Sequence, residues 1–324
     1  MKKMLAALTA LVLTAVCLIS PYAPAESKSL KIVVTIFPVY DWVRQIAGEK
    51  LDQLELTMLL DSGADLHNYQ PTAADILRVA DADLFVYIGG ESDGWVDKVV
   101  ATAGNQALVQ LNLMEALGDA VKAEEVIEGM EPEHGHEEED EEEEEAESDE
   151  HIWLSLRNAL VLVPQIAGKM GECDPENAAL YAANAGAYAE KLRELDEEYA
   201  KAVEEANQKT ILFGDRFPFR YLADDYGLTY YAAFTGCSAE TEASFQTIVF
   251  LSQKVDELGL KVILTIENPR TQLSQTIRQN TRTRDQRILS MDSMQSVTAN
   301  DLKTGVNYLA VMTENLGVLR EALQ

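Results

Sequence analysis

The sequence predicts an α/β protein of two similar lobes, each a parallel sheet with helices on both faces, joined by one long rigid helix. Three observations carry this. Strand-like runs alternate with helix-period segments over residues 30–120, the same alternation returns over 208–324, and between them 174–207 is a helical run interrupted only by Gly186. Two α/β lobes on a rod leave a cleft between them, and a ligand held in that cleft is the expectation.

In chain order, Leu30 to Ile36 is a β-branched run followed by helical spacing from Val39 to Gly48, where glycine stops the helix. Leu54 to Leu60 reads as a strand, Thr72 to Ala80 as a helix capped by Thr72, Leu84 to Ile88 as a strand, Trp95 to Ala103 as a helix and Ala107 to Leu111 as a short strand. Residues 151–172 are helix-compatible and complete the first lobe. Asp174 as cap with Pro175 and Glu176 behind it starts the long helix, a rod on the order of 50 Å at about 1.5 Å per residue. Beyond it come strands at Thr210 to Phe213, Thr229 to Ala233, Val262 to Ile266 and Ile288 to Ser290. The helices between and after them are Phe219 to Tyr226 closed by Gly227, Ser244 to Leu258 closed by Gly259, Gln272 to Asn280 and Ala299 to Leu323.

The charge is distributed unevenly. The 324 residues carry 26 Lys+Arg against 55 Asp+Glu, a net charge of -29 that excludes a nucleic-acid binder resting on a basic surface. Residues 124–150 hold 17 of those acids and no Lys or Arg, so this segment is expected to be a disordered insert, self-repelling and too poor in apolar residues to offset chain entropy. Residues 1–25 read as an export signal: Lys2 and Lys3, an uncharged apolar run from Met4 to Ile19, then Ala23-Pro24-Ala25. Cleavage after Ala25 is favoured over lipidation at Cys17, because the bulky Val16 stands where a lipoprotein signal has a small residue. Export to the periplasm or the outer face of the membrane would put Cys173 and Cys237 in an oxidising compartment, where either a disulfide or two separate thiols is open.

Only four histidines occur, and their placement is informative. His67 sits in Asp65-Leu66-His67-Asn68-Tyr69-Gln70-Pro71, a loop between a strand and a helix, where open α/β sheets face their ligand crevice. His151 follows the acidic run in Asp149-Glu150-His151-Ile152-Trp153-Leu154, again at the mouth of a helix, and His134 and His136 lie within the run.

With these two motifs the chain resembles the solute-binding receptors of ATP-driven zinc and manganese importers (cluster A-I). The first family motif, approximately Asp-Pro-His-x-Tyr-x-Pro, is matched by Asp65, His67, Tyr69 and Pro71, with Leu66 in place of proline. The second, Asp-x-His-Ile-Trp-Leu, is matched by Asp149, His151, Ile152, Trp153 and Leu154. An acidic His-containing insert such as the one bearing His134 and His136 is typical of the zinc-uptake members and implies an auxiliary low-affinity metal loop.

The resemblance implies a metal site in the cleft with His67 and His151 as ligands. A third family ligand, His or Glu, stands five residues before a tyrosine that here is Tyr221, and that position is Arg216, which has no lone pair to give. Asp215 is the expected replacement, with Glu240 and Glu242 as alternatives, or a site with fewer protein ligands plus water. The family's fourth position falls on Asp292.

Two imidazoles with one or two carboxylates suit Zn²⁺ and also the harder Mn²⁺, and the Irving–Williams order leans toward zinc. The implied function is an exported, monomeric receptor that binds Zn²⁺ tightly between two lobes and delivers it to an ABC transporter permease, without enzymatic activity and without nucleic acid; the alternative within the family is a manganese or iron receptor. A secreted zinc metalloenzyme would need a catalytic pattern, but His136-Glu137-Glu138-Glu139 meets Asp140 where His-Glu-x-x-His requires a second histidine. A metal-binding adhesin or acidic buffer would show several weak sites in place of one tight one.

Overall fold

Four β-branched segments pair in parallel to make the first sheet of the computed structural model, which describes residues 29–130, 147–238, 243–267 and 271–324. They are β1 (Leu30–Val34), β2 (Leu54–Met58), β3 (Leu84–Tyr87) and β4 (Val109–Asn112), in the order β2-β1-β3-β4. Ile32 in β1 stands opposite Leu56 on one side and Leu84 on the other. Parallel strands need helical crossovers, and these cover the faces, which is why β1 and β3 are almost wholly apolar. The crossovers and the exit helix are α1 (Phe37–Ala47), α2 (Ala73–Ala80), α3 (Val96–Ala103) and α4 (Leu113–Leu117). Thr72 caps α2 with a full capping box: its hydroxyl accepts from the Asp75 N–H while the Asp75 carboxylate accepts from the Thr72 N–H.

Two helices then pack against each other, α5 (Leu156–Cys173) and α6 (Ala178–Glu204). The long helix is shorter than the breaker-free run suggests. Asp174 ends α5 instead of opening α6, its carboxylate accepting from the Asn177 side-chain amide and the Tyr181 hydroxyl, both at 2.7 Å, so the chain turns before helix resumes at Ala178. At about 1.5 Å per residue the 27 residues of α6 span about 40 Å. One face buries Tyr181, Tyr188, Leu192, Leu195, Tyr199 and Val203, each large side chain worth roughly 1.5–3 kcal/mol.

The second lobe repeats the first: β5 (Thr210–Phe217), α7 (Arg220–Tyr226), β6 (Thr229–Thr235), α8 (Phe245–Leu258), β7 (Val262–Ile266), α9 (Gln272–Asn280) and β8 (Arg287–Met291). Its strands are again parallel, in the equivalent order β6-β5-β7-β8. The terminal helix expected from Ala299 to Leu323 is two helices, α10 (Ala299–Thr304) and α11 (Tyr308–Ala322). Gly305 takes a left-handed φ of 88° that closes α10, and the Asn307 side chain caps α11 by accepting from the Ala310 N–H.

The lobes share one apolar core and several buried polar ties. The Tyr308 N–H donates to Asp41 in α1 (3.0 Å), the Tyr308 hydroxyl donates to the Trp153 carbonyl (2.6 Å), and the Trp153 indole N–H donates to the Ser293 carbonyl (2.9 Å). Residues His67, Ser92, Cys237, Glu267 and Asp292 all follow the carboxyl ends of strands, so both sheets aim their variable loops into the same crevice.

Of residues 124–150, expected to lack structure, 124–130 and 147–150 are described, and they are held rather than loose. Ala123 and Ser148 form an antiparallel bridge, the Glu124 N–H donates to the Glu147 carbonyl, and Asp149 and Glu150 are buried. The segment expected to be an export signal, with Cys17, the histidines His134 and His136, and Glu240 and Glu242 lie outside the described residues.

Candidate metal centre

His67 is the middle residue of a short 3-10 turn, Leu66–Asn68, whose start is fixed by the Asp65 carboxylate accepting from the His67 N–H at 3.1 Å. Leu66 is buried and pins the turn to the core. His151 precedes a similar turn, Ile152–Leu154, in which all three side chains are fully buried. Asp149 plays the part of Asp65 here, with one carboxylate oxygen 2.9 Å from both the His151 N–H and the His151 Nδ1. The turns bring the two rings to a centroid distance of 5.1 Å with Nε2 facing Nε2 at 3.2 Å.

The outer nitrogens decide what the inner ones can do. His151 Nδ1 meets Asp149, which can only accept, so the ring proton belongs on Nδ1. His67 Nδ1 lies 2.9 Å from the Ser92 hydroxyl and 3.3 Å from Glu150 Oε2. Glu150 is itself fixed by the Ser92 N–H at 2.8 Å. Burial works to raise the Glu150 carboxyl, yet His67 and Ser92 together hold it below its ordinary value, so it is an anion beside the imidazole. Gly90 makes room for this carboxylate: at its φ of +78° a Cβ would stand 2.4 Å from Glu150 Oε1. The same loop is tied by Asp93, which accepts from the Ile88 and Gly89 N–H groups and whose own carboxyl is pushed up to about 7 by burial and by the charge of Glu150.

A third donor atom completes the group. Among the described residues, the metal-capable atoms of His67, His151 and Cys237 all lie within 4.8 Å of one another. Cys237 arrives from the loop after β6, and Gly236 lets it do so, because a Cβ there would come within 3.0 Å of the His151 ring and of the Phe217 carbonyl. The Cys237 N–H donates to Glu124 (2.8 Å). Burial, Glu124 and Asp149 push its thiol far above the ordinary cysteine range in the metal-free protein. Cys173, in contrast, sits against the Asp83 carbonyl, and both cysteines are free thiols, so the disulfide left open by their compartment is not formed.

The remaining residues expected at the site stand apart from this group. Asp215 lies within a bulge in β5 and spends its carboxylate on the Thr265 hydroxyl (2.6 Å), the Ile266 N–H and the Arg216 N–H. Asp292 caps its own turn by accepting from the Met294 N–H (2.7 Å), and burial together with the nearby Glu267 pushes its carboxyl up to about 6. Arg216 reaches across the cleft to Asp65 (2.6 Å) and donates to the Ser238 carbonyl (3.3 Å). Beside this pair opens a cavity of about 320 Å³, walled by Asp65 on one side and by Arg216, Glu267, Ser293 and Gln295 on the other.

Reading along the chain missed Cys237 and Ser92, and it counted Glu150 as one more acid of the insert. The available signal was position: Thr235-Gly236-Cys237 follows a strand end facing the same crevice as His67.

Residues 32–322 match the model of the family described as zinc-uptake complex component A, periplasmic, ZnuA. The chain belongs to this family. It is 33% identical over 318 residues to the zinc-binding lipoprotein AdcA of Streptococcus pneumoniae (strain ATCC BAA-255 / R6), an alignment covering 98% of this chain and 60% of that protein. The chain therefore spans about 60% of the length of that relative. The high-affinity zinc uptake system protein ZnuA of Bacillus subtilis is 30% identical over 301 residues, covering 93% of this chain and 90% of that one. Among solved structures, the Zn(II)-bound ZnuA-like domain of S. pneumoniae AdcA superposes with a TM-score of 0.70 at 30% identity, over 91% of this chain and 99% of that domain. The metal-dependent lipoprotein YcdH of B. subtilis gives 0.72 at 26%, over 91% and 99%. No helix among the described residues of this family member is long and apolar enough to cross a membrane.

Proposed function

We propose that the chain is the exported receptor of an ABC importer, binding one Zn²⁺ between its lobes through His67 and His151 and handing it to a membrane permease. The observation that carries this reading is the pair of Nε2 atoms at 3.2 Å whose partner Nδ1 atoms each have a carboxylate beside them, Asp149 at 2.9 Å and Glu150 at 3.3 Å. Two imidazoles protonated on Nδ1 point bare lone pairs at each other, an arrangement that is repulsive until a cation lies between them. Nitrogens about 2.0–2.1 Å from a tetrahedral Zn²⁺ stand about 3.3 Å apart, which matches the spacing already present. The relatives' names, a zinc-binding lipoprotein and a zinc uptake protein, agree with the same cargo.

The protein performs no covalent chemistry and works as a monomer without nucleic acid. Its lobes share a core and the ties through Tyr308 and Trp153, so release to the permease proceeds by small adjustment of the site loops rather than wide opening of the lobes. Titration calorimetry of the mature chain tests the reading. The expected result is a single tight Zn²⁺ site that His151→Ala abolishes; several weak sites, or full affinity in His151→Ala, would overturn it.

A further inference from the structure

The two histidines fill only half of a tetrahedral shell, and both come from the first lobe. In the second lobe, Asp215 accepts from the Thr265 hydroxyl, Glu267 from Ser293 and Asp292 from the Met294 N–H, and Arg216 is a cation. Among the described residues, the donor that groups with the two imidazoles is the Cys237 sulfur. Sulfur about 2.3 Å from Zn²⁺ and nitrogen about 2.0–2.1 Å from it are separated by about 3.6 Å in a tetrahedron, so a cysteine whose sulfur lies within 4.8 Å of an imidazole nitrogen of both histidines is close enough for a small loop adjustment to bring it to the ion.

The surroundings hold this sulfur in place. Gly236 removes the one side chain that would wedge between the loop and His151. Glu124 takes the Cys237 N–H, and Arg216 takes the Ser238 carbonyl one residue further on, fixing the loop from both sides. β5 and β6 pair Arg216 with Phe234, three residues before Cys237, so the arginine that cannot ligate is the residue that positions the loop that can.

We propose that Cys237 is the third protein ligand of the cargo ion, bound as a thiolate, and that this sulfur selects Zn²⁺ over Mn²⁺. The proposal rests on the receptor reading above. The thiol proton passes to solvent as the metal–sulfur bond forms. Thiolate is a soft donor that suits Zn²⁺ and is poorly matched to Mn²⁺, which prefers oxygen, so the sulfur acts as a filter where two histidines alone discriminate weakly.

Cobalt(II) is the probe, added to the reduced mature chain. The expected spectrum shows a sulfur-to-cobalt charge-transfer band in the near ultraviolet together with the visible d–d bands of a tetrahedral ion. Cys237→Ser loses the charge-transfer band, retains cobalt through His67 and His151, lowers Zn²⁺ affinity at least about tenfold, a loss of the size that lesser perturbations of metal sites produce, and leaves Mn²⁺ affinity unchanged. Cys173→Ser keeps the band. Cobalt bound by the unmodified chain in a His151-dependent manner but without the band would overturn the thiolate while leaving the receptor standing, and this arm needs no variant to fold. Equal Zn²⁺ affinity in Cys237→Ser and the parent would overturn it as well. Failure of the unmodified chain to bind cobalt or zinc at all would instead sink the receptor reading on which the proposal depends.

Discussion

The two lobes share a topology but contribute to the cleft in opposite ways. In the first, acidic side chains stand behind imidazoles: Asp149 and Glu150 hold ring nitrogens so that the other nitrogens are left bare. In the second, acidic side chains stand behind backbone: Glu267 accepts from the Ser293 N–H, the Ser293 hydroxyl and the Gln295 N–H, while Asp215 closes β5 onto β7. A carboxylate has about four lone-pair sites, and local donors fill them before a metal can. The same residue type lining one cleft thus becomes an imidazole support or a loop cap according to which donors lie within reach.

The sharpest way to break this comparison is to remove one group from each side. His67→Ala should weaken Zn²⁺ binding by more than about 100-fold, since even supporting partners of metal ligands are worth about 10- to 100-fold. Asp215→Asn should change affinity by less than about threefold and appear instead as a stability loss of about 1 kcal/mol through its hydrogen bonds to Thr265 and Ile266. Calorimetric titration and urea unfolding of the two variants separate these outcomes. A large affinity loss in Asp215→Asn would put that carboxylate back among the ligands.

A step smaller is the loss of support. Asp149→Asn keeps an acceptor oxygen but removes the charge that orients His151, and an amide can also present N–H to the ring and favour the wrong tautomer. Zn²⁺ affinity should fall by about 10- to 100-fold with His151 still present. An unchanged dissociation constant would show that Asp149 serves only the backbone of the turn, as Asp292 does.

How much of this was legible in the sequence divides along the same line. Local signals read well: Thr72 and Ser244 cap their helices, Gly227 and Gly259 end theirs in the left-handed region, and β7 and α9 have the bounds that periodicity assigns. Each of those features is decided within four residues. Helix breaks inside a continuous apolar pattern did not read, because Gly305 and Asp174 act through backbone geometry and a side-chain acceptor that periodicity does not register. His67 and His151 stood out by motif, and the structure brings their rings together. Cys237 was hidden because its neighbours at the site are 86 and 170 residues away in sequence, and Glu150 because composition makes it one acid among many.

The cross-lobe ion pair offers a still smaller effect, read on the stability of the fold. Burial would raise the Asp65 carboxyl, but the charge and hydrogen bond of Arg216, with His67, hold it below its ordinary value. A carboxylate whose folded pKa is depressed stabilises the fold above its unfolded pKa of about 3.8, and that contribution disappears as pH falls through the lower folded value. Arg216→Met should therefore cost about 1–2 kcal/mol at pH 7, between an exposed pair and a fully buried one, and less near pH 2. Equilibrium unfolding at the two pH values checks the sign, and a deficit that persists undiminished in acid would assign the loss to packing instead of charge.

The smallest expected change concerns the acidic insert, which the structure divides into parts with different duties. Glu124, Asp149 and Glu150 belong to the candidate metal centre, since they touch Cys237, His151 and His67. Residues 131–146, with 11 acids and both His134 and His136, lie outside the described residues. Their charge can raise the concentration of divalent cations around the protein, an effect on encounter that salt screens over about 10 Å at 0.1 M. Joining residue 130 to 147 should accordingly leave the dissociation constant within about twofold while slowing Zn²⁺ association at low ionic strength, with the difference vanishing as salt rises. Stopped-flow binding across a salt series is the measurement. A salt-independent loss of affinity would mean that the insert holds the ion itself, and that the cargo site draws on more than the three atoms gathered at His67, His151 and Cys237.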